Sequence, residues 1–143
     1  MRKILFLMHM SLDGFVAGPN GEMDWIRLPQ ELFDWGGILT EQADTALYGR
    51  ITYEMMQNYW PNAGSRPNAS KHDKDHSAWY NKVTKVVVSK TMKDAGLEKT
   101  MIIRDHIAQN VEKLKQQPGK NIQMYGSPSV IQELLNADSM NFI

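Results

Sequence analysis

Asp44-Thr45-Ala46-Leu47-Tyr48-Gly49-Arg50-Ile51-Thr52-Tyr53-Glu54 is the stretch from which the fold is read. Its first half is a short, largely apolar run that stops at a glycine. From Arg50 the period changes. Ile51, Met55 and Tyr59 share one helical stripe, and Tyr53, Met56 and Trp60 share another. A strand over 44–48 therefore hands over to a helix over 50–60. The same hand-over recurs late in the chain. Asn121 to Tyr125 reads as a strand and Gly126 ends it. Ser127 to Asn136 then reads as a helix, with Ser127 as N-cap, Pro128 at N1 and Val130, Ile131, Leu134 and Leu135 on its apolar side.

The flanking segments repeat the alternation. Lys3 to Met10 is nearly all apolar, which predicts a strand buried on both faces. A turn-rich loop follows through Gly18-Pro19-Asn20-Gly21. Pro29 opens a helix carrying Leu32, Phe33 and Trp35, which Gly36-Gly37 weakens or ends. Pro61 to Asp75 is polar and reads as a long surface loop. Val86-Val87-Val88 marks a strand over 85–89, and a shorter strand covers 100–104. Ile107, Val111 and Leu114 set a helix that Pro118-Gly119 stops. Alternating strands and helices predict crossovers, hence an α/β fold with a mostly parallel sheet and helices on both faces.

The 143 residues suit one domain. Sixteen basic residues balance sixteen acidic ones, so the basic excess of a nucleic-acid binder is missing. There is no cysteine, which excludes a disulfide framework, a thiolate metal site and a cysteine nucleophile. Arg2-Lys3 before Ile4 to Met8 mimics the start of a signal peptide, but the apolar run is too short for one. No apolar stretch reaches the roughly 18 residues of a membrane span. The expectation is a cytoplasmic protein that binds neither nucleic acid nor membrane.

Ligands of open α/β sheets bind beyond the carboxyl ends of the strands. Three such ends carry chemistry. At Gly49-Arg50-Ile51-Thr52 a helix start, a planar cation and a hydroxyl suit a phosphate, or else form a turn with a solvated arginine. Ser89-Lys90-Thr91 offers two hydroxyls and a cation for a 2′-phosphate, or is a polar turn. At Gly126-Ser127 the backbone could meet a pyrophosphate or a nicotinamide, or Ser127 simply caps its helix. Neither a G-x-G-x-x-G fingerprint nor a P-loop occurs. His72 and His76 have helical metal spacing but sit in the polar segment without a third histidine nearby, so they read as solvated and no metal is expected. His9 points either at the pocket or into the core.

Taken together these motifs resemble the dihydrofolate-reductase-like superfamily. The nearer branch is related to the C-terminal reductase domain of the bifunctional deaminase-reductase of bacterial riboflavin biosynthesis. Met10-Ser11-Leu12-Asp13-Gly14-Phe15-Val16-Ala17 is similar to its S-L-D-G-x-[IV]-A signature. Leu47 to Glu54 resembles G-R-x-T-[YW]-E, Val86 to Thr91 resembles V-x-S-[RK]-T, and Met124 to Ser127 resembles the late G-[GS] turn. The resemblance covers essentially the whole chain.

It implies an NADPH-dependent reductase of a pyrimidine- or pterin-like heterocycle, with the aminouracil-ribityl phosphate step of riboflavin synthesis as the nearest named reaction. Gly49, Arg50, Thr52, Ser89 and Lys90 would hold the adenosine-phosphate half of the cofactor. Ala17, Gly18, Gly126 and Ser127 would flank the nicotinamide. Hydride transfer also needs a proton donor. Leu28-Pro29-Gln30-Glu31 places Glu31 as dihydrofolate reductases place their acid, where Trp25, Phe33 and Trp35 could enclose it. Asp13 is the other candidate, unless it braces the turn at Gly14. A dihydrofolate reductase and a non-catalytic nucleotide-binding domain are the alternatives. The resemblance also suggests a homodimer. Against the family the chain is short. Because it ends at Phe142-Ile143, the expectation is that C-terminal strands of the family are missing, through truncation or because a partner chain completes the sheet.

Overall fold

A computed structural model describes residues 1–94 and 98–137. Ten elements follow one another: β1 Ile4–Leu7, α1 Gln30–Glu41, β2 Ala43–Gly49, α2 Arg50–Ala63, α3 Lys71–Lys82, β3 Thr84–Val88, β4 Thr100–Ile103, α4 Ile107–Gln116, β5 Asn121–Tyr125 and α5 Pro128–Asn136. The strands form one sheet in the order β1-β5-β2-β3-β4, and every described pairing is parallel. Each parallel step needs a crossover; α1, the α2–α3 pair and α4 supply those from β1 to β2, β2 to β3 and β4 to β5, whereas no described helix lies between β3 and β4.

Period-2 alternation divides the sheet into two faces. Leu47, Val86, Val88, Ile122 and Met124 pack with Val111 and Leu114 of α4 and Val130, Ile131 and Leu134 of α5. Ala46, Tyr48 and Val87 point the other way, onto Tyr53 of α2 and Tyr80 of α3. The result is the α/β/α sandwich read from the sequence. At the amino end of the strands, buried Arg2 bonds Asp44, Thr45 and the Lys120 carbonyl, tying β1 to β2.

Three local readings change. β1 is shorter than the apolar run 3–10 and lies at the edge of the described sheet, half-buried rather than covered on both faces. Met8, His9 and Met10 lie beyond the end of the strand, with Met8 still packed against the core. Gly36-Gly37 lie inside α1 rather than ending it, and a Cβ at either would meet nothing within 4 Å. Residues 138–143, where the sequence suggests the start of a further strand, lie outside the described residues.

The largest departure is α3. The segment 61–75 contains the end of α2, through Pro61, and the beginning of α3. Ser70 and Asp73 form a capping box: Ser70 Oγ accepts the Asp73 N–H at 3.0 Å and Asp73 Oδ2 accepts the Ser70 N–H at 2.9 Å. Side chains of α3 also satisfy the end of α2. Ser77 Oγ donates to the Trp60 carbonyl at 2.7 Å and Asn81 Nδ2 to that of Pro61 at 3.1 Å. Ser70→Ala removes the cap, and urea denaturation is expected to show a loss of about 1 kcal/mol. An unchanged midpoint would mean the cap contributes nothing.

His72 and His76 are not solvated as the polar segment suggested. His76 is buried, and its ring lies 4.0 Å from that of Trp60 and 5.1 Å from that of Trp79. His72 stacks on Phe33 of α1 at 4.5 Å. Among the described residues no group of three or more His, Cys, Asp or Glu side chains is placed to hold a metal. No described helix is long and apolar enough to cross a membrane.

Candidate active site

β2 and β5 are neighbours in the sheet, but the helices after them leave to opposite faces. The rule for open α/β sheets puts the ligand crevice at such a switch point, here between the N-termini of α2 and α5. The two turns that the sequence singles out separately meet there. Ser127 Oγ accepts the Gly49 N–H at 2.8 Å and donates to Thr52 Oγ1 at 2.9 Å. A hydroxyl from one turn thus fastens the other.

This geometry reassigns two of the small residues. Gly49 also meets a packing need: a Cβ there would lie 3.3 Å from Val130 Cγ2 and 3.4 Å from Ser127 Oγ. Its missing side chain lets α5 close onto β2. Gly126 is required by its backbone, with φ +55. Ser127 occupies the cap position of α5, but at φ +63 and with no capping bond from its side chain, contrary to the N-cap reading. Its hydroxyl is committed to the clasp instead, and the left-handed backbone costs on the order of 1 kcal/mol.

Neither helix N-terminus is neutralised by a cap. No side chain caps α2 or α5, and neither has an acidic residue in its first turn. Two positive dipole ends therefore converge on one crevice. Arg50 lies exposed at its rim, where Nη1 meets both carboxylate oxygens of Glu54, at 2.9 and 3.1 Å.

Beyond β3, Ser89 is buried and its Oγ accepts the N–H groups of Thr91 and Met92, at 3.3 and 3.0 Å. That hydroxyl shapes its own turn and keeps one proton to donate. Lys90 is exposed beside it. Arg104, which the sequence reading passed over, bonds the Met92 carbonyl and brings another cation to this turn. Only tertiary pairing of β3 with β4 could reveal it.

The first-strand loop follows the end of β1, where the Gly126 N–H donates to the Leu7 carbonyl at 3.1 Å. Beside this junction a cavity of about 310 Å³ is lined by Met8, His9 and Met10, by Trp25, Ile26, Arg27 and Leu28, and by Leu32 of α1. Its side chains are apolar except those of His9 and Arg27, and no motif signalled Arg27. Ala17 and Gly18 are half-buried, and the Gly18 N–H closes the loop onto the Glu22 carbonyl at 2.9 Å.

The apolar enclosure expected around Glu31 is not formed, whereas Asp13 braces its turn. Glu31 is exposed on the first turn of α1, with Trp35 also exposed and Phe33 turned onto His72. Asp13 is exposed, and its Oδ1 accepts the Ser11 hydroxyl at 2.7 Å, bracing the turn. Beneath the crevice lie Tyr48 and Tyr125. Burial pushes both phenols above the usual tyrosine range, and for Tyr48 the neighbouring Tyr80 and Tyr125 add to it.

Comparison with known proteins agrees with this architecture. The chain is 32% identical over 137 residues to an uncharacterized protein, YyaP, of Bacillus subtilis (strain 168), covering 94% of this chain and 68% of that one. A crystal structure from Shewanella sp. PV-4, of a protein assigned to riboflavin biosynthesis, superposes with a TM-score of 0.66 at 21% identity. That match covers 99% of this chain and 73% of the other. A diaminohydroxyphosphoribosylaminopyrimidine deaminase/5-amino-6-(5-phosphoribosylamino)uracil reductase of Thermotoga maritima superposes with a TM-score of 0.60 at 13% identity, over 95% of this chain and 42% of that one. These two likenesses establish the fold, the one expected from the dihydrofolate-reductase-like resemblance. The sequence pattern of one family spans residues 2–143, and by that match the chain belongs to the RibD C-terminal domain family.

Proposed function

We propose that this chain is an NADPH-dependent reductase of a pyrimidine- or pterin-like heterocycle, with 5-amino-6-(5-phosphoribosylamino)uracil as the nearest named substrate. One observation carries the reading: two uncapped helix N-termini, without first-turn acids, meet at the crevice that Ser127 clasps. Such a junction suits a pyrophosphate. Family membership and the cavity beside the Gly126 turn support the rest.

The residues present fit the cofactor. The start of α2, Arg50 to Thr52, faces its phosphates, while Gly49 and Gly126, whose N–H groups bond Ser127 and Leu7, shape the turns that line it, the Gly126-Ser127 turn on the nicotinamide side. Arg50, Ser89 and Lys90 take the adenosine phosphate, with Arg104 adding charge at the same turn. Ala17 and Gly18 flank the nicotinamide. When bound, NADPH supplies a hydride to the substrate. The heterocycle lies in the cavity of His9, Trp25 and Arg27, with the Arg27 guanidinium for an anionic substituent. Glu31, beside the cavity residue Leu32, delivers the balancing proton from the exposed side. Asp13 is the second acid and holds the loop through Ser11.

Quenching of the four tryptophans gives the test. NADPH is expected to bind at least about tenfold more tightly than NADH, since charge-assisted bonds to one extra phosphate separate the two. Absence of quenching by either at about 1 mM, the weak end of useful affinity, would sink the reading. Binding without oxidation of NADPH in the presence of a pyrimidine or dihydrofolate would favour a nucleotide-binding domain that does not turn over.

A further inference from the structure

A second cavity, of about 230 Å³, lies at the other end of β3 from Ser89. Tyr53, Gln57, Tyr80, Lys85, Lys99 and Thr100 are on its wall. Lys85 and Ser89 are separated by about 13 Å of strand, so this cavity is distinct from the crevice.

Lys85 sets the character of the site. It is 7% exposed, yet no carboxylate pairs with it among the described residues. Its ammonium sits 4.6 Å from the centroid of the Tyr80 ring. Tyr80 is itself fixed, donating its hydroxyl proton to Gln57 Oε1 at 2.9 Å. Burying an ammonium without an anion is costly, and a ring face offsets only part of that cost.

Lys99 stands on the same wall. Its carbonyl accepts the Lys85 N–H at 2.8 Å, and its backbone is left-handed, with φ +53. A non-glycine residue holds that conformation at a cost, so the strand pairing fixes where Lys99 begins. Two neutral polar groups nearby are already engaged. Asn81 Nδ2 donates to the Pro61 carbonyl and Thr100 Oγ1 to that of Glu98. Glu98 lines the cavity but forms no ion pair with either lysine. The adjacent residues outside the described set, Ala95, Gly96 and Leu97, carry no charge. Burial, then the charge of Lys99, pushes the Lys85 amine below the usual lysine range, as expected of a cation lacking its anion.

We propose that this cavity binds a compact oxyanion, inorganic phosphate or a small carboxylate, between Lys85 and Lys99. An incoming oxyanion would supply the missing counter-charge through charge-assisted hydrogen bonds. The Tyr53 and Tyr80 rings cover one side of it, where lower polarity strengthens that attraction. The volume falls below the roughly 300 Å³ at which drug-sized ligands begin, which favours an ion over a nucleotide.

The test titrates the full chain with inorganic phosphate, acetate or chloride at fixed ionic strength, following the Lys85 Cε–Hε NMR signal. A saturable shift with phosphate or acetate, and none with chloride, is expected, and the arm that saturates names the anion. In Lys85→Met, followed at the Lys99 Cε–Hε signal that shifts alongside it in the parent chain, the saturable shift should be lost. Should that variant fail to fold, two exposed positions decide. Lys99→Met should weaken binding by about threefold and Glu98→Gln should tighten it by about twofold, the scale of single exposed charges. Linear shifts of equal slope in all three salts, or unchanged affinity in both exposed variants, would overturn the proposal. NADPH quenching should stay the same in Lys99→Met, so the two sites fail or survive independently.

Discussion

Replacing Arg50 by alanine is expected to weaken NADPH binding by roughly ten- to a hundredfold, as expected for losing charge-assisted hydrogen bonds of about 1.5–3 kcal/mol. NADH binding should change by no more than about threefold, because it lacks the 2′-phosphate that the guanidinium would grip. The variant should remain folded. Arg50 is exposed, and its bond to Glu54 is an i,i+4 surface pair that contributes only about 0.3–0.5 kcal/mol. That weak pair makes a companion change informative. Glu54 competes with the phosphate for the same guanidinium, so Glu54→Gln should strengthen NADPH binding. Tryptophan quenching reads both. Equal losses for the two nucleotides in Arg50→Ala would mean that Arg50 does not recognise the 2′-phosphate.

Acid is expected to destabilise the protein through His76. Burial, and then the neighbouring His72, lowers its pKa from the ordinary 6.5 to about 3. Asp73 opposes that shift and loses. The packed rings of Trp60, Trp79 and Tyr125 leave no room for hydration of an imidazolium. Between those two pH values the unfolded chain binds a proton at this residue and the folded chain does not. Stability therefore rises with pH across the window. The contribution is fully present above 6.5 and is lost as pH falls toward 3. Between pH 7 and pH 4 the loss is about 3 kcal/mol, from roughly two and a half pKa units. His76→Phe keeps a ring against Trp60 and removes the titration. It also removes a buried nitrogen, Nε2, that has no hydrogen-bond partner among the described residues. Urea unfolding at pH 7 and pH 4 should show a difference between the pH values that is smaller by about 3 kcal/mol in the variant. Equal differences would place the acid sensitivity elsewhere.

Reading along the chain succeeds where the signal is local. Val86-Val87-Val88 can face both layers only as an interior strand, and it is one. The run 44–49 turns into a helix where the glycine said it would. The reading fails at α3 because the buried side of that helix is His76, Ser77 and Tyr80. Two of those three count as polar in any periodicity, so no apolar stripe appears. The readable sign was at its start, where Ser70 and Asp73 have capping spacing. β1 misled for a related reason: continuous apolarity predicts burial on both faces, but a strand's neighbours are set by pairing far away in sequence.

The sequence by itself determined the alternation of strands and helices, the parallel sheet and the turns that end β2, β3 and β5. Those depend on side-chain period and on glycine, which act over a few residues. Only the tertiary structure decided that Gly49 is small for the sake of Val130 and Ser127, and that the Ser127 hydroxyl joins two turns 78 residues apart. It alone buried His76 among aromatic rings and left Lys85 without a counter-charge. These properties arise from desolvation and through-space contact, and neither is written in the order of residues along the chain.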